Sequence, residues 1–255
     1  MEDDRASTIT PDRERPAALS LHDVSYQHEG AAGSALRSVS LQVAAGERVA
    51  ITGPHGSGVS TLLGVAAGLL PSYRGAVTVD GASWRDLDPV SGRAGIGWVD
   101  IEPDLFDGTL LDNLTLGRPE VTTEAVTQAL ALTGLDRWLA RQEQGLHTAI
   151  RAGARTWSLD VRVRFQLARA LVAKPRLVVA DRALDLLDPP ERAEVLPVLF
   201  PARSDWTCLL ATNQPDVLAR VDRIIRIEKG RVVAAGPARE MLANDPWCRA
   251  LTVTS

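Results

Sequence analysis

Residues 53–61 read Gly-Pro-His-Gly-Ser-Gly-Val-Ser-Thr. Gly53, Gly56 and Gly58 allow positive φ and close approach, so the N–H groups around Ser57 can turn inward and cradle an anion. Ser60 stands where a hydroxyl would meet magnesium, and Thr61 follows at a second phosphate-contacting position. The pattern G-x-x-x-x-G-K-[ST] asks for lysine after its last glycine, and this chain has Val59. A hydrogen bond to a charged group contributes about 1.5–3 kcal/mol, so its loss predicts phosphate binding weakened by roughly ten- to a hundred-fold. The chemistry on offer is the holding of a polyphosphate without its cationic clamp.

Such a loop needs a strand before it and a helix after it. The apolar run Arg48-Val49-Ala50-Ile51-Thr52 predicts the strand, and Leu62, Leu63, Val65, Ala66, Leu69 and Leu70 recur at helical spacing. The competing reading is an ordinary strand, glycine turn and helix without a ligand. Three glycines followed by Ser-Thr at this spacing favour descent from a phosphate loop, while leaving present activity open.

The 255-residue length suits one large domain, or a core with a subdomain, and a 45% hydrophobic content fills a sizeable core. A net charge of −4 argues against a general nucleic-acid binder. Only Cys208 and Cys248 are present, so neither a disulfide framework nor a cysteine metal cluster is expected, and a reducing cytoplasm fits. His22, His28, His55 and His147 lack metal-ligand spacing. The acidic start, Met1-Glu2-Asp3-Asp4, is no signal peptide and predicts a disordered tail over 1–17 before a folded region over 18–255. No apolar run approaches the ~20 residues that span a bilayer, so service at a membrane requires a partner.

From Leu19 onward the chain resembles the nucleotide-binding domain of ABC transporters, most closely the exporter type. The resemblance rests on collinear segments covering almost the whole chain. Leu21-His22-Asp23-Val24-Ser25-Tyr26 resembles the first strand and the aromatic loop that stacks adenine. The phosphate loop follows at the expected distance. Ile96-Gly97-Trp98-Val99 resembles the strand before the Q-loop, and Leu105-Phe106-Asp107-Gly108-Thr109 with Asn113-Leu114 the exporter stretch that opens the helical subdomain. Ala168-Arg169-Ala170-Leu171 resembles the end of the signature helix, Leu177-Val178-Val179-Ala180-Asp181 a Walker B strand, and Leu187-Asp188-Pro189 the D-loop. Asp222-Arg223-Ile224-Ile225 and Lys229-Gly230-Arg231-Val232-Val233 resemble the terminal strands.

The departures are as systematic as the matches. Beside Val59, Ile101 stands at the Q-loop glutamine, and Trp157-Ser158-Leu159-Asp160-Val161 replaces the signature Leu-Ser-Gly-Gly-Gln. Arg182 replaces the glutamate after Walker B Asp181, Asn213 replaces the switch histidine, and Ala152 replaces an exporter glutamate. Phosphoryl transfer is positioning plus stabilisation of spreading negative charge. Five damaged motifs therefore imply a hydrolysis-deficient protein. In a head-to-tail dimer each site takes one chain's phosphate loop and the other chain's signature, so this chain affects both sites.

Two substitutions reverse charge. Asp160 lies in the first turn of the predicted signature helix, whose N-cap is expected to be Ser158. It either carries an anion that repels a partner's phosphate or is a solvated helix-start residue. Arg182 either restores charge lost at Val59 or pairs internally with Asp181 or Asp185. Tyr26 either stacks adenine or packs over the core. Trp157 is expected to be an apolar plug. Arg162, Arg164 and Arg169 are expected on a solvated or salt-bridged helix face.

The expected architecture is an α/β core with a mostly parallel sheet, an antiparallel portion from the early strands, and a helical subdomain over about 109–173. The resemblance implies ATP and magnesium as cofactors, both weakened, with magnesium on Ser60 and Asp181. It implies a transmembrane transporter subunit docked near Ile101–Phe106, possible pairing with a second nucleotide-binding subunit, and a place at the inner face of the cell membrane. Two alternatives stand beside the hydrolysis-deficient subunit: an active ATPase with substituted machinery, and a soluble regulatory protein that has left transport.

Overall fold

The computed structural model describes residues 15–87, 89–100, 105–202 and 205–253, without the side chains of 89–91. Most of the expected tail over 1–17, and the Q-loop position Ile101, lie outside the described residues. The last residue of that tail differs from expectation. Ala17 is buried, donates its N–H to Arg176 O and accepts from the Thr207 hydroxyl, because it closes the lower edge of the core.

A four-stranded antiparallel sheet has the order β2-β1-β4-β5, with β1 Leu19–Tyr26, β2 Leu36–Val43, β4 Arg74–Val79 and β5 Ala82–Ser83. Along β2 the buried residues Leu36, Val39, Leu41 and Val43 face inward while most of their neighbours face solvent, as one covered face requires. A second, six-stranded sheet has the order β12-β11-β3-β10-β9-β6. It comprises β3 Arg48–Thr52, β6 Ile96–Asp100, β9 Leu177–Asp181, β10 Thr207–Ala211, β11 Arg223–Glu228 and β12 Arg231–Pro237. All its pairings are parallel except the β11–β12 hairpin. β9 and β10 are buried at every residue because helices cover both faces. Cys208 lies on β10, and burial pushes its thiol pKa up to about 12, as suits a core residue.

Helix α1, Val59–Ala66, sits between the two sheets in one apolar cluster with Leu21, Val77 and Ile225. Helix α2 is Pro89–Ala94. Between β6 and β9 run α3 Leu110–Thr115, α4 Thr123–Leu132, α5 Asp136–Leu139 and α6 Leu159–Leu171. A short ribbon of β7 Gly108–Thr109 and β8 Ala149–Ile150 ties this segment together. It has its own apolar cluster around Leu114, Leu130 and Phe165. Helices α7 Pro189–Leu199, α8 Pro215–Leu218, α9 Ala238–Asn244 and α10 Pro246–Val253 complete the chain. Among the described residues no helix is long and apolar enough to cross a membrane. The mixed α/β architecture, with parallel and antiparallel sheets, is the expected one.

Candidate nucleotide site

The loop over residues 53–58 leaves the C-terminal end of β3 and enters α1. Backbone crowding requires glycine at two of its positions. A Cβ on Gly53 would stand 2.2 Å from Ile227 O, and one on Gly58 would stand 2.4 Å from Ala35 O at a φ of 102°. The terminal hairpin forms the floor, since Gly230 N donates to Ser57 O at 2.8 Å. Gly58 caps α1 without a side-chain hydrogen bond, and no side chain among the described residues accepts from the first-turn N–H groups. These amides and the positive end of the helix are the expected anion cradle.

Val59 is only 3% exposed and packs in the apolar cluster around α1, so this position has become core. Ser60 is exposed and its hydroxyl lies near the Asp181 carboxylate, whose Oδ1 is buried without a hydrogen-bond partner. Burial is the main cause that raises the Asp181 pKa. Asp100, its register partner on β6, adds to the rise, while Ser60 and Arg182 oppose it. A hydroxyl beside a carboxylate with an orphaned oxygen is a donor set suited to a hard cation, so these residues fit magnesium. The Ser57 hydroxyl is likewise buried without a partner.

Asn213 is turned inward. Its Oδ1 accepts the Thr52 hydroxyl at 2.7 Å, and its Nδ2 lies 3.5 Å from Gly53 O. Thr52 Oγ1 in turn accepts from Trp247 Nε1 on α10 at 3.1 Å. Asp185 accepts both the Thr212 hydroxyl and the Asn213 N–H; burial raises its pKa more than these bonds and the nearby arginines lower it. Arg182 has a left-handed backbone, with φ 53° and ψ 11°, and a half-buried side chain. Its charge acts on Asp181 and Asp185 from a distance. No ion pair or side-chain hydrogen bond forms from it among the described residues, so the internal pairing considered for Arg182 is not realised.

Tyr26 packs partly against the core, with its ring in edge contact with His28 at 4.9 Å and 79°. His28 Nε2 lies 3.0 Å from the Thr61 hydroxyl. The expectation of packing or solvated histidines thus missed that His28 joins the aromatic strand end to α1. Its i+2 spacing from Tyr26 was the available signal.

The signature face is built differently. Ser158 occupies the N-cap position of α6, but its hydroxyl makes no capping bond. Asp160 pairs with Arg164 one turn on, and the buried Arg164 guanidinium also binds Glu194 at 2.7 Å and Thr133 O at 3.1 Å. Both alternatives for Asp160 therefore give way: it is neither a free anion nor merely solvated, because α6 supplies its counter-ion. Arg164 is likewise part of the interior. Trp157 is a half-buried plug whose ring meets Trp138 at 4.8 Å and Phe165 at 5.4 Å. Leu159 and Val161 are half-buried, and Val161 packs against the same cluster.

Two buried amides hold the segments that flank residues 101–104. Gln166 exchanges two 2.8 Å hydrogen bonds with the backbone of Asp100, and Asn113 bonds both N and O of Phe106. Gln166 carried no sequence signal beyond its place in a helix. At the position of the missing exporter glutamate, Ala152 N donates to Asp107 Oδ1 at 2.9 Å.

Residues 36–185 match the family model described as ABC transporter. The mycobactin import ATP-binding/permease protein IrtB of Mycolicibacterium thermoresistibile is 36% identical over 208 residues, covering 82% of this chain and 36% of that protein. A multidrug efflux ATP-binding/permease protein of Mycobacterium bovis is 34% identical over 216 residues, covering 85% of this chain and 18% of its own length. The chain thus spans only a minor part of these relatives. A solved structure of a bacterial Atm1-family ABC exporter with ATP bound superposes with a TM-score of 0.88 at 25% identity, over 100% of this chain and 44% of that one. With this match and a phosphate loop set between parallel and antiparallel sheets, the chain belongs to the ABC transporter family, as a nucleotide-binding domain of the exporter kind.

Proposed function

We propose that the chain is a hydrolysis-deficient nucleotide-binding subunit that scaffolds or regulates a membrane transporter. The observation that carries this reading is the fate of Asn213. A water-orienting group must face the outer phosphates. This side chain is committed instead to Thr52 and the loop's own carbonyl. With Val59 buried and Arg182 at the glutamate position, Ser60 and Asp181 remain to hold magnesium, and the loop amides remain to hold ATP. Bound magnesium would neutralise phosphate charge. The chain's own residues would seat the nucleotide without activating a water, and binding is weakened by the missing lysine.

The transport side rests on the exporter stretch. Phe106 is 45% exposed, while the fully buried Asn113 holds its backbone from both sides. An exposed aromatic on a clamped backbone suits docking to a transmembrane subunit near Ile101–Phe106, at the inner face of the membrane. The relatives are named for import and for efflux. The shared segment is therefore the nucleotide-binding part of each, and selection of cargo belongs elsewhere. The helical subdomain is assigned to 109–173 within a domain over 18–255.

Steady-state ATP turnover by the purified chain, alone and co-purified with its membrane subunit, tests the proposal. Background turnover in both states is expected, with stable co-purification. Turnover that depends on Asp181 overturns the hydrolysis-deficient reading, and failure to associate with any membrane subunit overturns the transport role.

A further inference from the structure

We propose that Arg182 grips the outer phosphates of a nucleoside triphosphate seated on the 53–61 loop, replacing from β9 the cation lost at Val59. The inference deepens the reading above and rests on the same site.

Three observations meet there. First, the half-buried Arg182 guanidinium has two acidic neighbours, Asp181 and Asp185, yet forms an ion pair with neither. A partly desolvated guanidinium is stabilised by a charge-assisted partner, and phosphate oxygens suit its planar fork. Second, the sheet places it correctly. Register pairs Ala211 with both Asp181 and Ile51, so Arg182 and Thr52 both end parallel strands at the same edge, two strands apart. That spacing is about 10 Å across the sheet, a separation that a bound phosphate chain and an arginine side chain together bridge. The left-handed backbone at Arg182 fixes where the side chain leaves β9, a conformation disfavoured in a residue with a Cβ. Third, the loop and the end of β9 carry buried polar atoms without a hydrogen-bond partner among the described residues. These are the Ser57 hydroxyl on the loop and Oδ1 of Asp181, in residues 4% and 7% exposed. Buried polar atoms are ordinarily paired, and one of these belongs to the loop while the other directly precedes Arg182.

The charge count favours a triphosphate. The loop amides can hold the phosphate nearest α1 whether or not a lysine is present. A cation at the far wall adds only to ligands long enough to reach it, so Arg182 should matter for ATP and not for AMP.

The test is calorimetric titration of magnesium-ATP and of AMP into the full chain, as wild type and as Arg182→Ala, Arg182→Lys and Arg182→Gly. ATP turnover is measured on the same samples. Arg182→Ala is expected to weaken ATP binding at least tenfold and leave AMP unchanged, with Arg182→Lys recovering part of the loss. Arg182→Gly suits the left-handed backbone, so equal weakening in the Gly and Ala variants at unchanged melting temperature assigns the effect to the lost charge. ATP affinity unchanged by Arg182→Ala, or no ATP binding by the wild type, overturns the role of Arg182 and leaves hydrolysis deficiency standing. Turnover by the wild type overturns hydrolysis deficiency and leaves the affinity comparison valid.

Discussion

The phosphate loop and the signature helix both depart from the family pattern they resemble, and their surroundings accommodate the replacements differently. Around α6 the replacements at 157 and 160 meet partners within the chain, while Arg162 Nε on the same helix is buried without a hydrogen-bond partner among the described residues. Asp160 pairs with Arg164, Arg164 reaches Glu194 and Thr133 O, and Trp157 makes edge contacts with Trp138 and Phe165. Around the loop, the Ser57 hydroxyl and Asp181 Oδ1 are buried without a hydrogen-bond partner among the described residues, and Arg182 forms no ion pair there. On the signature face the side chains at 157, 160 and 164 pack and pair within the chain. A surface that keeps orphaned polar atoms at a cost to stability retains a use for them.

The largest effect should come from breaking the satisfied side. Arg164→Leu removes a buried cation and strands Asp160, so about 3 kcal/mol of stability should be lost in a urea titration. A loss below ~1 kcal/mol would place Arg164 among ordinary surface residues and dissolve the contrast. On the loop side, Gly58→Ala should cost about 2 kcal/mol, because its Cβ would press on Ala35 O at a positive φ, and should also abolish ATP binding. Retained ATP affinity in that variant would mean the nucleotide does not use the loop.

Asp181→Asn sharpens the contrast because its sign is reversed. Burial raises the pKa of Asp181 in the folded chain above its unfolded value, so the ionised carboxylate opposes folding. The native state then binds the proton more tightly, and the Asp181 contribution becomes more favourable as pH falls through the folded pKa. The Asn variant should therefore melt at a higher temperature near neutral pH. That advantage should shrink on acidification and level off below the ordinary carboxylate range. A lower melting temperature at neutral pH would show that the carboxylate is a structural asset in the empty site. The smallest effect belongs to Ser158→Ala. The hydroxyl makes no capping bond, so the change should stay within about 0.5 kcal/mol, against the ~1 kcal/mol typical of a working N-cap.

Much of this protein is legible in one dimension. The glycines at 53, 56 and 58 announce a backbone that must turn closely, and the fold then supplies Ile227 O and Ala35 O as the atoms being approached. The apolar run Leu177–Asp181 reads as a strand buried on both faces, and it is one. Val59 reads as a lost lysine, but only packing shows that the side chain has joined the core. His28 looks dispersed until Thr61, 33 residues away, meets its ring.

The sequence by itself determined the family, the element order and the list of altered positions, because turns, strands and motifs are short-range patterns written in adjacent residues. Tertiary structure alone decided what each altered residue does. An ion pair or hydrogen bond depends on which groups meet through space. Arg164 meets Glu194 across 30 positions, Asn213 meets Thr52 across 161, and Thr52 meets Trp247 across 195. For Arg182 the nearest candidates in sequence, Asp181 and Asp185, turned out not to be its partners. Its charge acts on both without an ion pair to either, and local spacing does not encode that outcome.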